Sequence, residues 1–272
     1  MNTELLNKYL EYLTARGQSK NYYNIMRLWL VYLDEQKIEP QSITQETITA
    51  FFTLHTEYSA NTKNQFIKGG RSFYSYMGIE NNEWTKIKLL AVETKIPNYL
   101  SEQDLGEAKK YLITYHSHRL YSIPKIEALL DFLYFTGVRK TELLTLKRID
   151  FNLEGNSAKV FGKGKKERIV YYPEKVKNKL ITYFASEPEE NNAFNLTLGQ
   201  VNYLPKVISK HLGKKVYMHL FRHSFARHLI FDKGMDVNTV SKLLGHSSLT
   251  TTLIYISPDE KTIKENYKKL VG

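Results

Sequence analysis

From Leu5 to Tyr74 the apolar positions recur at the three-and-four spacing of amphipathic helices, and the breaks fall at residues that end helices. Leu5, Leu6, Tyr9, Leu10 and Leu13 give a first helix that stops near Gly17. Ser19 is placed to cap a second, which carries Tyr22, Tyr23, Met26, Trp29, Leu30 and Leu33 and ends before Pro40. Thr44 starts a third through Phe51, Phe52 and Leu54, and Ser59 or Asn61 starts a fourth through Phe66, Ile67, Phe73 and Tyr74. The aromatic residues on these faces read as core.

The periodicity then fades. From Gly78 the stretch GIENNEWTKIKLLAVETKIPNYL is polar, and Pro97 disfavours helix at Ile96. The pattern predicts a four-helix domain over 1–77, a linker over 78–98 and a second domain over 99–272. Ser101 and Asp104 form a capping-box pair for a new helix, and Ser122 with Pro124 opens another that runs to Gly137. A short helix is expected at 139–146. DFNLEGNSAKVFGKGKKERIVYYP follows, with turn signals at EGN and GKGKK between β-forming runs, which predicts a small antiparallel sheet. Helices resume at Glu174, interrupted by the polar SEPEENNAF. The fold class expected is mainly α with one small antiparallel sheet, in two domains.

Composition changes this picture little: 42% hydrophobic and 25% charged residues are ordinary for a globular chain of 272 residues. No apolar run approaches the roughly 20 residues of a membrane span, and the start MNTELLNKYLEYL has no signal-peptide pattern, so a cytoplasmic location is expected. The lack of cysteine excludes disulfides and thiolate metal sites. Charge adds more. Residues 1–96 carry 11 Lys and Arg against 10 Asp and Glu, whereas residues 97–272 carry 28 against 18. An excess concentrated in the second part of the chain suits a polyanion such as nucleic acid, though a solubilising surface gives the same count.

Four stretches hold candidate chemistry. In HLFRHSFARHLI (219–230), His219, Arg222, His223 and Arg227 fall within an arc of ~140° on an ideal helix, while His228 lies ~180° from His219. A metal site is poor there: Leu220 stands where the glutamate of a zinc helix belongs, and no carboxylate lies within the segment. Two readings stay open, a phosphate grip by an arginine fork beside a histidine, or a solvated helix face. In TGVRKTELLTLKRIDF (136–151), Arg139 sits three residues before Glu142, either as a surface ion pair or as an arginine aimed at an anion. FGKGKKER (161–168) presents Lys163 at a hairpin tip, and LLGHSSLTTTLIYI (243–256) sets His246 nine residues before Tyr255. Twenty tyrosines make that one unremarkable by itself.

Taken in order, however, these stretches resemble the signatures of the tyrosine recombinases, the phage-integrase and Xer-type family. The sequence of signals is an arginine with a following glutamate, a hairpin lysine, His-x-x-Arg-His, Gly-His and a tyrosine, over residues 136–256. The N-terminal helices are similar in pattern to that family's SAM-like core-binding domain. Departures are small: Phe221 where leucine is usual, Arg227 for a smaller polar residue, Ile256 after the tyrosine.

The resemblance implies a catalytic set of Arg139, Lys163, His219, Arg222, His246 and the nucleophile Tyr255, with Glu142 orienting Arg139 and His223 supporting the fold. Tyr255 attacks a DNA phosphodiester to leave a 3′-phosphotyrosyl link, and neither metal ion, ATP nor any other cofactor is needed. Lys63, Lys68, Arg71, Lys165, Lys166, Arg168 and Arg227 are candidate DNA contacts. The partners implied are a double-stranded recombination site, gripped by a C-shaped clamp, and further copies of the chain in a tetramer on two sites. The helix expected at 259–270 has Ile263 and Tyr267 spaced to dock on a neighbour or on its own domain. A partner recombinase is compatible with this layout.

Rival readings are a type IB topoisomerase-like enzyme, a DNA-binding regulator without catalysis, and a metal-dependent nuclease. LGHSS, the complete catalytic set and the missing carboxylates argue against each in turn. With no room for an added arm-binding domain, resolution of chromosome or plasmid dimers is the expected role and a mobile-element integrase the alternative.

Overall fold

The computed structural model of the protein describes residues 2–18, 20–92, 98–116, 121–162 and 167–245, together with Lys264 and Tyr267. The chain divides into two compact units, Met1–Thr94 and Lys95–Gly272. No helix among the described residues is long and apolar enough to cross a membrane.

The first unit contains α1 (Asn2–Ala15), α2 (Lys20–Glu35), α3 (Gln45–Leu54), α4 (Ala60–Tyr76) and the one-turn α5 (Glu83–Lys86). The Thr44 hydroxyl accepts from the Thr47 amide at 3.3 Å and that of Ser59 from the Thr62 amide at 3.2 Å, so α3 and α4 start at the expected caps. Ser19 lies outside the described residues. The interior is rich in aromatic side chains: Trp29, Phe51, Phe66, Phe73, Tyr74 and Trp84 are all buried among aliphatic ones. Trp29 meets Trp84 edge to face at 4.9 Å.

Trp84 moves a boundary. It lies in the stretch expected as linker, yet it packs so tightly on α4 that a Cβ on Gly70 would sit 2.3 Å from its ring. Arg71 donates to the Trp84 carbonyl (3.1 Å) and the Ile87 carbonyl (2.6 Å), and the Asn64 amide exchanges two hydrogen bonds with the backbone of Leu90. The segment after Gly78 therefore belongs to the first unit through Leu90; the polar residues around a single tryptophan hid that from periodicity.

The second unit contains α6 (Glu102–His116), α7 (Ile123–Thr136), α8 (Lys140–Thr145), strands β1 (Phe151–Asn152), β2 (Ser157–Phe161) and β3 (Glu167–Tyr171), then α9 (Glu174–Ser186), α10 (Leu198–Leu212), α11 (Met218–Arg227) and α12 (Val237–Leu244). Ser101 and Asp104 form their capping pair, and Ser122 caps α7. From Ala128 to Thr136 every residue of α7 is buried, which makes it the central strut of the core. The sheet is antiparallel in the order β1-β2-β3, with Val160 opposite Arg168. The mainly helical class with one small antiparallel sheet is as expected. A five-residue π turn, His228–Asp232, carries α11 towards α12, and Phe225, Ala226, Val240 and Leu244 form a small apolar cluster there.

Candidate active site

Gly137 ends α7 with φ of 59°, in the left-handed region glycine tolerates, and a Cβ there would lie 2.6 Å from the Phe225 ring. The turn sets Arg139 in extended conformation just before α8. Glu142, in the first turn of that helix, accepts from the Arg139 amide at 2.8 Å and from its guanidinium Nη1 at 2.7 Å. Glu142 is fully buried, so the pair is not the weak surface contact its spacing also allowed.

A second arginine reaches the same carboxylate. Arg168, from β3, donates through Nη2 to Glu142 Oε2 at 2.7 Å and more loosely through Nε to Oε1 at 3.4 Å. Burial raises the Glu142 carboxyl, but the bonds and charge of Arg168, then those of Arg139, outweigh it and hold the pKa at about 2. Glu142 is thus a carboxylate at any working pH.

The far sides of the arginines converge on the end of α12. Arg168 Nη1 donates to the Leu243 carbonyl at 2.6 Å, Arg222 Nη2 to that of Leu244, and Arg139 Nη2 to that of Gly245 at 3.1 Å. These consecutive carbonyls are groups a helix C-terminus leaves unsatisfied, and its dipole favours cations. Arg222 also donates to the Gly137 carbonyl at 2.8 Å, which ties the α7 turn to α12. Arg222 is wholly enclosed, whereas the Arg139 side chain keeps 32% exposure and is the guanidinium open to an incoming anion.

His219, in the first turn of α11, faces the same charges. Its ring is partly open to solvent, yet the surrounding protein, then Arg222 and Arg139, push its pKa below the ordinary imidazole value. A neutral imidazole at pH 7 is able to accept a proton. His223, buried, packs edge-on to His219 at 4.8 Å between ring centres. Among the described residues no cluster of three or more histidine, aspartate or glutamate side chains suits a metal ion.

Lys163, Lys165, Lys166, His246 and Tyr255 lie outside the described residues, as does most of the 259–270 helix; Lys264 and Tyr267 within it are helical and exposed. Lys68 projects from α4 into solvent, and the Lys63 ammonium sits over the Phe52 ring at 5.6 Å. Three arginines expected at a DNA surface turn inward instead. Arg71 holds the carbonyls of Trp84 and Ile87, Arg168 holds Glu142, and Arg227 is buried with its guanidinium between Tyr99 (4.1 Å) and Phe231 (4.9 Å). His228, on the opposite side of the helix from His219, is buried with its Nδ1 2.8 Å from Asp232. The Arg168 role carried a readable signal: in a strand it shares the face of Val170, two residues on, which is buried. The grip on the α12 carbonyls carried none.

Residues 112–262, more than half of the chain, match the phage integrase family. The tyrosine recombinase XerD of Chlorobaculum tepidum is 30% identical over 97% of this chain and 94% of its own, and XerC of Leptospira interrogans 28% identical over 98% and 92%. The crystal structure of XerH site-specific recombinase bound to palindromic difH substrate, a post-cleavage complex, superposes with a TM-score of 0.71 over 93% of this chain and 81% of its own; at 23% identity that likeness speaks for the fold. The chain belongs to the phage integrase family and is a Xer-like tyrosine recombinase, a site-specific DNA recombinase.

Proposed function

We propose that this recombinase resolves chromosome or plasmid dimers, cutting and rejoining two duplex sites through a Holliday junction, with Tyr255 as nucleophile. The observation that carries the chemistry is the gathering of Arg139, Arg222 and His219 around one buried carboxylate and the end of α12. Three arginines to one carboxylate leave the site cationic. The open edge of Arg139 meets a non-bridging oxygen of the scissile phosphate, and Arg222 offsets the charge that builds on the pentacoordinate phosphorus.

The phenol of Tyr255, with an ordinary pKa near 10, gives its proton to neutral His219 as its oxygen bonds to phosphorus. The bond to the 5′-oxygen breaks, Lys163 protonates that oxygen, and His246 hydrogen-bonds the phosphate. The phosphotyrosyl ester conserves the bond, so rejoining requires only attack by a 5′-hydroxyl.

The first unit is read as the core-binding domain, with Lys63 and Lys68 of α4 touching the DNA backbone and Lys165 and Lys166 doing so from the hairpin. The DNA in the XerH structure supports a duplex recombination site as partner. The helix at 259–270 docks on a neighbouring copy in a tetramer, with a partner recombinase accommodated, and the enzyme works on the nucleoid in the cytoplasm.

The test is covalent trapping on a nicked duplex of a verified recombination site, with EDTA and without ATP. Wild type forms an SDS-resistant adduct and Tyr255→Phe does not. Binding without adduct by wild type overturns the catalytic reading.

A further inference from the structure

Glu142 offers about four lone-pair positions, and four donors take them: the Arg139 amide and Nη1, and Arg168 Nη2 and Nε. A carboxylate bonded on both edges cannot turn. With Arg139 alone, the amide and Nη1 would hold one lone pair on each oxygen, and nothing on the far edge would stop the carboxylate tilting to take that guanidinium as a two-bond fork and draw it inward. Arg168 prevents this, and is itself fixed by the Leu243 carbonyl and by its stem. A Cβ on Gly245, a residue with φ of 64°, would lie 2.8 Å from Arg168 Cδ, so the stem fills the space a side chain there would need. Only 11% of the Arg168 side chain is exposed, which leaves it little access to DNA.

We propose that Arg168 is a positioning residue for strand cleavage, holding Arg139 open to the scissile phosphate by occupying the other edge of Glu142. The proposal rests on the role given to Arg139 above. The Arg168 side chain is committed to Glu142 and the Leu243 carbonyl, so it acts through Glu142 on the guanidinium that meets the phosphate.

The test is a double-mutant cycle on the full-length chain. The readout is the single-turnover rate of adduct formation at saturating enzyme on the nicked duplex, with DNA affinity measured alongside. Arg168→Met is expected to slow adduct formation by about 10²-fold, the cost of a small misplacement in a reacting site, with DNA affinity unchanged. Arg168→Lys keeps a cation but loses the fork, and should recover part of the rate while retaining the fold. In an Arg139→Met background, Arg168→Met should cause little further loss, because its effect passes through Arg139.

Equal losses in both backgrounds would mean a merely structural arginine and overturn the proposal. So would a fall in DNA affinity at unchanged rate, which would make Arg168 a DNA contact. If Arg168→Met fails to fold, the lysine variant decides in the same way: a full wild-type rate, or equal losses with and without Arg139, sinks the idea. A wild type that forms no adduct, or an Arg139→Met variant as fast as wild type, defeats the underlying reading instead.

Discussion

The two units are held together by opposite means. The interior of the first mixes aromatic and aliphatic side chains, and the polar side chains buried in it, Asn64 and Asn82, are uncharged. The second has an apolar core as well, but buries charge beside it: the carboxylates of Glu142 and Asp131, the guanidiniums of Arg222 and Arg227, and most of that of Arg168. Apolar burial is non-directional and tolerates adjustment, whereas buried charge is costly unless every group is paired in good geometry. A chain gains little stability from such a cluster; what it gains is fixed direction, which a phosphate-handling site requires.

The largest expected effect breaks the charged side of that contrast. Glu142→Ala leaves the guanidiniums without their carboxylate and should destabilise the second unit by about 3–5 kcal/mol. Both tryptophans lie in the first unit, so the loss should appear in urea unfolding followed by far-UV circular dichroism and leave the fluorescence transition in place. A loss below 1 kcal/mol, on the scale of exposed pairs, would show the cluster to be peripheral.

The aromatic side is probed at Gly70. Alanine in a helix is worth about 1 kcal/mol over glycine, but overpacking costs about 1–3 kcal/mol, and a clash with the middle of a buried indole cannot be relieved by a flexible tip. Gly70→Ala should therefore shift the fluorescence transition to lower urea, and a stabilised variant would mean the Trp84 contact is loose.

The site's electrostatics give a smaller and continuous effect. The charged form of His219 is disfavoured, so its neutral form persists below pH 6.5 and begins to vanish only as pH falls through its lowered pKa. Single-turnover cleavage should stay level as pH falls to the ordinary imidazole value and decline only below it, towards tenfold per unit. A decline that begins above the ordinary imidazole value would remove His219 as the base.

The smallest effect separates surface from interior on α4. Lys68→Ala should reduce the salt dependence of DNA binding by about one unit of slope. Arg71→Ala should leave that slope alone and instead lower the fluorescence transition, because its guanidinium serves two backbone carbonyls. The reverse result would exchange their roles.

The helices and sheet were legible because apolar periodicity and capping residues are local signals: Thr44, Ser59, Ser101 and Ser122 all sit where their pattern put them. The pairing of Arg139 with Glu142 was legible too, through spacing, though not that it would be buried. What could not be read is whatever depends on distant elements meeting. Arg168 and Glu142 are 26 residues apart and Arg168 and Leu243 are 75, and nothing local says that a strand arginine closes a carboxylate's far edge. The same holds for Trp84, whose fit against Gly70 is a matter of shape.

That fit also sets the shortest fragment able to stand alone. A chain cut after Met77, where the helical pattern ends, would lack Trp84 and leave an indole-sized void facing Gly70, Phe52 and Trp29. It would also leave Asn64 without its partner and Arg71 without two carbonyls to hold. Expressed as a separate piece, the N-terminal unit needs its chain as far as Leu90, and a protease probing the whole enzyme should find the peptide bonds around Trp84 as protected as those of the helices.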